Sequence, residues 1–325
     1  MTFNKMLRQI VGPVAAVCLA TGVFAQTAYP TKPVRIIVPY SAGGPADIYA
    51  RFIGDRLQKT LGQAFVIENR PGAGAIIGTD VAAKSSPDGY TLLMMSNTHT
   101  VNESLFTKKP YNLMRDLAPI SPINYSDLLL VVHPSVTTNN LKELIALGKS
   151  KPGALNYASS GPGTPYHMAG ELFKAMAGID VVHVPHKGSA EARTSVLAGN
   201  VQMMFDAITT MAPLAQAGKV RAIATSGKTR SSITPGVPTL DEAGLPGYDA
   251  VIWLGMMAPV STPKPIVDQL NSEIQRIASQ AEVKDIWAKQ GAAPMYMTSA
   301  EFGKFMEQDI QKWAKVVAFS GAKVD

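Results

Sequence analysis

The chain has 325 residues, enough for one large domain or two ordinary ones, and 46% of them are hydrophobic against 17% charged. That balance excludes a disordered chain. The net charge of +6 is scattered along the sequence, which excludes a concentrated nucleic-acid footprint and leaves a general surface charge favourable to anions.

The first residues read as an export signal. Lys5 and Arg8 give a short basic start, and residues 10–20 are almost wholly apolar but too short to span a bilayer. "VFAQ" places Val23 and Ala25 at the small-residue positions of a cleavage site, so cleavage is expected after Ala25, with residues 1–25 as signal peptide. Cys18, the only cysteine, lies inside this segment behind Val17, where a lipoprotein signal wants a small residue. The mature chain is therefore expected without cysteine, without a lipid anchor, soluble and in the periplasm.

Strands and helices then alternate. "VRIIVP" from Val34 reads as a buried strand, followed by Ile48, Phe52, Ile53, Leu57 and Leu61 at helical spacing up to Gly62. "AFVIEN", "YTLLMMS" and "DLLLVVH" are further strands. "NNLKELIALGKSKPG" is a helix with an Asn cap. "LNYASS" restarts the pattern, with a helix over about 164–177; "DVVHVP", "VQMMFD" and "VRAIATS" are later strands. "YDAVIWLGMMAP" reads as a strand crossing back. Helices follow at 265–280, 282–290 and from Ser299, the last opened by the capping box "TSAE" at Thr298.

Short apolar strands joined by helices predict an α/β fold with parallel or mixed sheets covered on both faces. "IIVPYSAGGPAD" and "LNYASSGPGTPYH" are both strand, Gly-containing loop, helix, about a hundred residues apart. This echo predicts two lobes, with chain crossings near residues 121–126 and 248–254. Residues 26–124 and 251–325 would form one lobe and 125–250 the other. Two crossings make a hinge, and a hinge makes a cleft.

Ligands in such sheets bind beyond the carboxyl ends of the strands. Gly43 and Gly44 let backbone approach a ligand, and the N–H groups of the next helix favour an anion. Ser159, Ser160 and Thr164 offer the same chemistry in the second loop, and the pair of loops suits a carboxylate. "RPGAGAIIG" lacks the acidic partner of a dinucleotide fingerprint and reads as a structural turn. The histidines form no metal-ligating cluster. Ser159 with His167 can be drawn as a hydrolase dyad, but G-x-S-x-G is absent. Asp47 sits in the first turn of its helix, as ligand contact or cap. Asp206 ends a strand, as ligand contact or loop brace. Arg193 is either a bidentate carboxylate clamp or a surface residue. Trp253 reads as core or hinge packing.

"YPTKPVRIIVPYSAGGPAD", "VIENRPGAGAIIGTDVAAKSSPDGYTLL", "LNYASSGPGTPYHMAGELFKAMAG", "VVHVPHKGSAEA", "VQMMFDAI" and "WLGMMAPVSTPKPIVDQLN" resemble the extracytoplasmic solute receptors of tripartite tricarboxylate transporters, the Bug-type proteins, in order over the whole mature chain. The resemblance implies a two-lobed Venus-flytrap binding protein of type II-like topology, no catalysis, no cofactor, organic-acid ligands, and membrane permease partners. It implies ligand contacts from Tyr40, Ser41, Gly43, Gly44 and Asp47, from Asn97, Thr98 and His99, and from Ser159, Gly161, Gly163, Thr164 and His167. His186 stands where the family usually has an aromatic residue, Ala207 where it usually has Asn, and Arg193 where it is often apolar. With Asp206, His186 and Arg193 complete the expected site.

The sequence reading is thus a monomeric periplasmic receptor for a small organic carboxylate. A dicarboxylate or an aromatic carboxylate, terephthalate-like at one extreme, is the expected ligand. An exported hydrolase using Ser159 and His167 is one competing class, and a ligand-loaded signalling adaptor is the other.

Overall fold

The computed structural model describes residues 29–321; the expected signal peptide, its cleavage site and Cys18 lie outside them. The first unit runs β1 (Val34–Val38), α1 (Pro45–Leu61), β2 (Phe65–Asn69), a 3-10 turn (Ala73–Ala75), α2 (Ile76–Ala83), β3 (Thr91–Ser96), α3 (Asn97–Leu105), α4 (Leu113–Asp116) and β4 (Leu117–Ser126). The chain then passes through Asp127 into β5 (Leu128–Val132), α5 (Leu141–Ser150), β6 (Leu155–Ser159), α6 (Pro165–Ala177), β7 (Val181–Pro185), α7 (Ser189–Leu197), β8 (Met203–Ala207), α8 (Ile208–Gln216) and β9 (Arg221–Thr225). It returns through β10 (Ile252–Pro259), α9 (Lys264–Ser279), α10 (Ala281–Lys289), β11 (Ala292–Pro294) and α11 (Ser299–Ser320).

The strands form two mixed sheets, and each with its helices makes one lobe. The six-stranded sheet has the order β11-β4-β10-β3-β1-β2, and the five-stranded sheet β7-β6-β8-β5-β9. β1 is parallel to β2 and β3, and β6 is parallel to β7 and β8. The strands that follow a crossing run the other way: β10 is antiparallel to β3 and β4, β5 to β8 and β9. A chain entering a sheet from the opposite lobe comes in from the cleft side, so its direction is reversed.

β4 carries no strand signature in the sequence, because Pro119 and Pro122 interrupt it. Both prolines pair with β10 where the register shifts, beside Met257 and Gly255; a bulge is where a sheet tolerates a residue without an N–H. The Gly-rich "RPGAGAIIG" forms the 3-10 turn, with Ala73 (φ 46°) and Ala75 (φ 76°) in the left-handed region. α1 ends at Gly62, whose φ of 75° and N–H bond to Gln58 O make a left-handed cap. The expected capping box at Thr298 and Glu301 is present.

The first lobe's core packs β1, β3 and β10 against α1, α9 and α10, with Trp287 fully buried against Tyr49 and Phe52. Trp253 on β10 is buried against Phe302 and Phe305 of α11. The second lobe's core reaches across the boundary. It includes Val101 and Leu105 from α3, and Trp313, Val316 and Val317 from the end of α11. α11 therefore packs on both α3 and α6, clasping the two lobes. Among the described residues no helix is long and apolar enough to cross a membrane.

Candidate functional site

A cavity of about 460 Å3 lies between the lobes, within the range of small-molecule sites. Its first-lobe wall is the turn from Tyr40 to Ala46, with Ser96 and Thr98 behind it and Ile252 and Leu254 of β10 at the base. Its second-lobe wall is Ser160, the residues Thr164 to Tyr166, and Gly188 to Ala190 with Arg193. Each polar wall is the turn from a strand's carboxyl end into a helix N-terminus, so backbone N–H groups and the positive helix end face inward.

In the first lobe the sequence sets this up directly. Pro45 at the first helical position needs no N–H partner, and Gly44 is the cap without a side chain. Asp47, expected as a ligand contact, turns away from the cavity and is 3% exposed. It accepts from the Gly43 N–H at 2.9 Å, from Arg51 Nε at 3.1 Å and from Asn69 Nδ2 at 3.0 Å. Burial pushes its pKa up, but the bonds from Arg51, Gly43 and Asn69 outweigh burial and the net shift is downward. Gly43 lines the cavity with its N–H already engaged, while Tyr40, Ser41 and Gly44 line it as expected.

Tyr40 is locked from behind. Its hydroxyl shares a 2.6 Å hydrogen bond with Ser96 Oγ, which also accepts from Thr98 N–H at 3.2 Å. Burial holds the Tyr40 hydroxyl up at about 12, partly offset by Ser96. Thr98 lines the cavity; Asn97 and His99 do not. Asn97 Nδ2 donates to Val251 O at 3.1 Å. His99 is fully buried, with Ser96 N–H on its Nδ1 at 3.2 Å and Thr79 Oγ1 at 2.9 Å from its Nε2. Burial holds His99 down at about 4.

In the second lobe Thr164 lines the cavity, and its neighbours in the expected set lie behind it. Ser159 is fully buried, and Ser160 takes its place at the cavity because successive residues leaving a strand face opposite ways. Ser159 Oγ lies 2.6 Å from His183 Nε2 and accepts from Gly161 N–H at 3.1 Å. Gly163 N–H donates to His167 Nδ1 at 3.0 Å. The drawn dyad of Ser159 and His167 is therefore not formed: the serine pairs with another histidine and is buried outside the cavity lining. His183 faces inward and stacks on His167 at 4.1 Å between centroids. His186 lies outside the lining, half-buried, with Nδ1 at 3.0 Å from Val184 O.

Arg193 is the single charged residue that lines the cavity among the described residues. Its Nε sits 3.3 Å from Asp206 Oδ2, and its Nη2 donates to Ser189 Oγ at 3.4 Å. Asp206 is fully buried behind it and accepts from Ala207 N–H at 2.8 Å. Burial holds the Asp206 carboxyl up at about 6, against the pull of Arg193 and the Ala207 amide. Asp206 is thus the brace of Arg193, not a wall of the cavity. Tyr166, absent from the sequence expectation, lines the cavity with a hydroxyl pushed up by burial and then by Asp206. Its position directly after Pro165 in the second helix start was the available signal.

Two α/β lobes around a cavity walled by helix N-termini, one cation and apolar residues define a solute receptor of the periplasmic-binding-protein class. The model of the "Tripartite tricarboxylate transporter family receptor" matches residues 49–321, and the chain belongs to that family. It is 36% identical over 326 residues to Protein BugT of Bordetella pertussis, covering 100% of both chains. It is also similar to the R. palustris protein Rpa4515 solved with adipate, with 32% identity, 90% of this chain and 98% of that one covered, and a TM-score of 0.83. MatC (Rpa3494) from Rhodopseudomonas palustris, solved with bound malate, is 32% identical over 89% of this chain and 100% of its own, with a TM-score of 0.79. Members of this family are solute-binding receptors, not enzymes.

Proposed function

We propose that the protein captures a small dicarboxylate in the periplasm and presents it to the membrane subunits of a tripartite transporter. The observation that carries this reading is the opposition of two helix N-termini, of α1 and α6, across one cavity with Arg193 as its one charged lining residue among the described residues. One carboxylate meets the Ser41 to Ala46 turn, and the second meets Arg193, which can hold two oxygens at once. Adipate and malate in two neighbours are both dicarboxylates, which supports the same class here. Tyr40, Tyr166, Ile252 and Leu254 give walls for a carbon chain or a ring, terephthalate being the aromatic extreme.

We take residues 29–124 and 251–321 as one lobe and 125–250 as the other, closing about the strands that cross near Asp127 and Val251, with the protein monomeric and α11 as clasp. A ligand touching both lobes favours the closed state, because only differential affinity shifts that equilibrium. A thermal-shift screen of mono-, di- and tricarboxylates, aliphatic and aromatic, tests the reading. Stabilisation by dicarboxylates above monocarboxylates supports it; stabilisation by none of them refutes it.

A further inference from the structure

Four helix N-termini reach the cavity, those of α1, α3, α6 and α7. In each, the side chain of the third helical residue turns back and accepts the N–H of the cap residue or of the residue just before it. Asp47 takes Gly43, His99 takes Ser96, His167 takes Gly163 and Glu191 takes Lys187. Of the four, α3 has the capping box proper; in α1, α6 and α7 the amide taken is that of the residue just before the cap, a variant in which Glu191 of α7 is the ordinary acidic acceptor. A histidine serves there only as the neutral ring with its proton on Nε2.

His167 meets that requirement. It is 4% exposed, and burial, then the charge of Lys174, hold it down at about 4. Its Nε2 lies 3.9 Å from Glu171 Oε1, while Glu171 is engaged by Lys174 and by the Tyr157 hydroxyl. The ring of His183 covers one face. Gly163, the amide it holds, has φ of 74°, and a Cβ there would strike Leu105 of α3 in the other lobe. The turn that His167 fastens is therefore both a cavity wall and a seat between the lobes.

We infer that His167 is a positioning residue for ligand capture, acting through its unprotonated Nδ1: by holding the Gly163 amide inward it aims Thr164, Pro165 and Tyr166 at the cavity and seats the turn against Leu105. The inference rests on the cleft reading above. The ring's bulk is not the working part; the acceptor is.

Two substitutions separate acceptor from bulk. In His167→Gln, Oε1 restores an acceptor that can take the Gly163 amide as Glu191 takes the Lys187 amide at the start of α7. In His167→Leu the apolar volume stays and the acceptor goes. Calorimetric titration with adipate is expected to give a dissociation constant within about threefold of wild type for the Gln variant, and at least about tenfold weaker for Leu. Equal loss in both, or wild-type affinity in Leu, overturns the inference. Should the Leu variant fail to fold, the Gln variant and the wild-type ring decide. Nitrogen-15 spectra of the wild-type imidazole are expected to show an Nε2–H tautomer at pH 7 with and without adipate; an Nδ1–H tautomer overturns the inference even if adipate does not bind. Loss of binding in Gly44→Asp with unchanged binding in both position-167 variants would sink this inference and leave the cleft reading standing. Absence of binding by any carboxylate would sink the cleft reading instead.

Discussion

Gly44→Asp is the substitution that bears hardest on the cavity, and its effect can be worked from the geometry. Gly44 is the cap of α1 with φ of −81° and ψ of 169°, an extended conformation that any residue adopts. An added Cβ would meet only Ser41 O, at 3.5 Å, an ordinary contact. Asp is also a favoured cap residue, so the helix should not lose stability. The new carboxylate nevertheless stands in the cavity wall where the proposed ligand carboxylate would lie. Two unit charges about 4 Å apart repel by about 4 kcal/mol at an effective dielectric of about 20. Residue 44 is half-buried, and solvent screening brings this to about 2 kcal/mol, or about 30-fold in dissociation constant. Gly44→Asn supplies nearly the same shape and capping without the charge and should bind within about fivefold of wild type. Calorimetry on both variants, with melting temperatures alongside, gives the answer. Binding of a dicarboxylate by folded Gly44→Asp within threefold of wild type would refute the placement of the anion at this turn.

Further outcomes follow from other residues. Arg193→Gln should weaken dicarboxylate binding by about 10- to 100-fold, as expected for loss of a charge-assisted pair, while a monocarboxylate of equal length loses little; equal losses would remove Arg193 from ligand recognition. Trp313, 1% exposed, ties α11 into the second-lobe core, and Trp313→Ala should cost about 3–5 kcal/mol in chemical denaturation. Asp127, at the first crossing, is held up at about 6 from the usual 3.8 by burial and then by Asp249. An acid with a raised folded pKa is neutral in both states below pH 3.8 and loses stability for the fold as pH rises toward 6. Asp127→Asn should therefore raise stability by about 1–2 kcal/mol at pH 8 and change little at pH 3.5, as read by urea midpoints; a larger gain at the acid end would contradict the sign.

The cavity's framework was legible in the sequence where one strand ran into one Gly-containing turn and one helix. β1 with α1 and β6 with α6 both had that form, and both supply walls. β4 was not legible, since Pro119 and Pro122 speak against a strand and only the bulged pairing with β10 admits them. Within the turns, residue type identified the right loop but not the facing side chain. Ser159 and Ser160 are adjacent and chemically alike, and strand alternation alone sends the first inward and leaves the second at the cavity. Asp47, His99 and His167 look like ligand contacts because they sit in first turns of helices. The same position lets them reach back to an amide at or just before the cap, and that local bond wins. The stack of His167 on His183 depends on the parallel register that sets Tyr157 opposite His183, which spacing along the chain does not reveal. The clasping end of α11 is likewise a long-range pairing without a local signature.

The most direct measurement is a crystal structure of the protein grown with the dicarboxylate that stabilises it most. One carboxylate should lie within hydrogen-bonding distance of the Ser41 to Ala46 turn and the other on Arg193, with Thr164 and Tyr166 closing over the chain between. An acid seated against one lobe alone, or outside this cavity, would contradict the account.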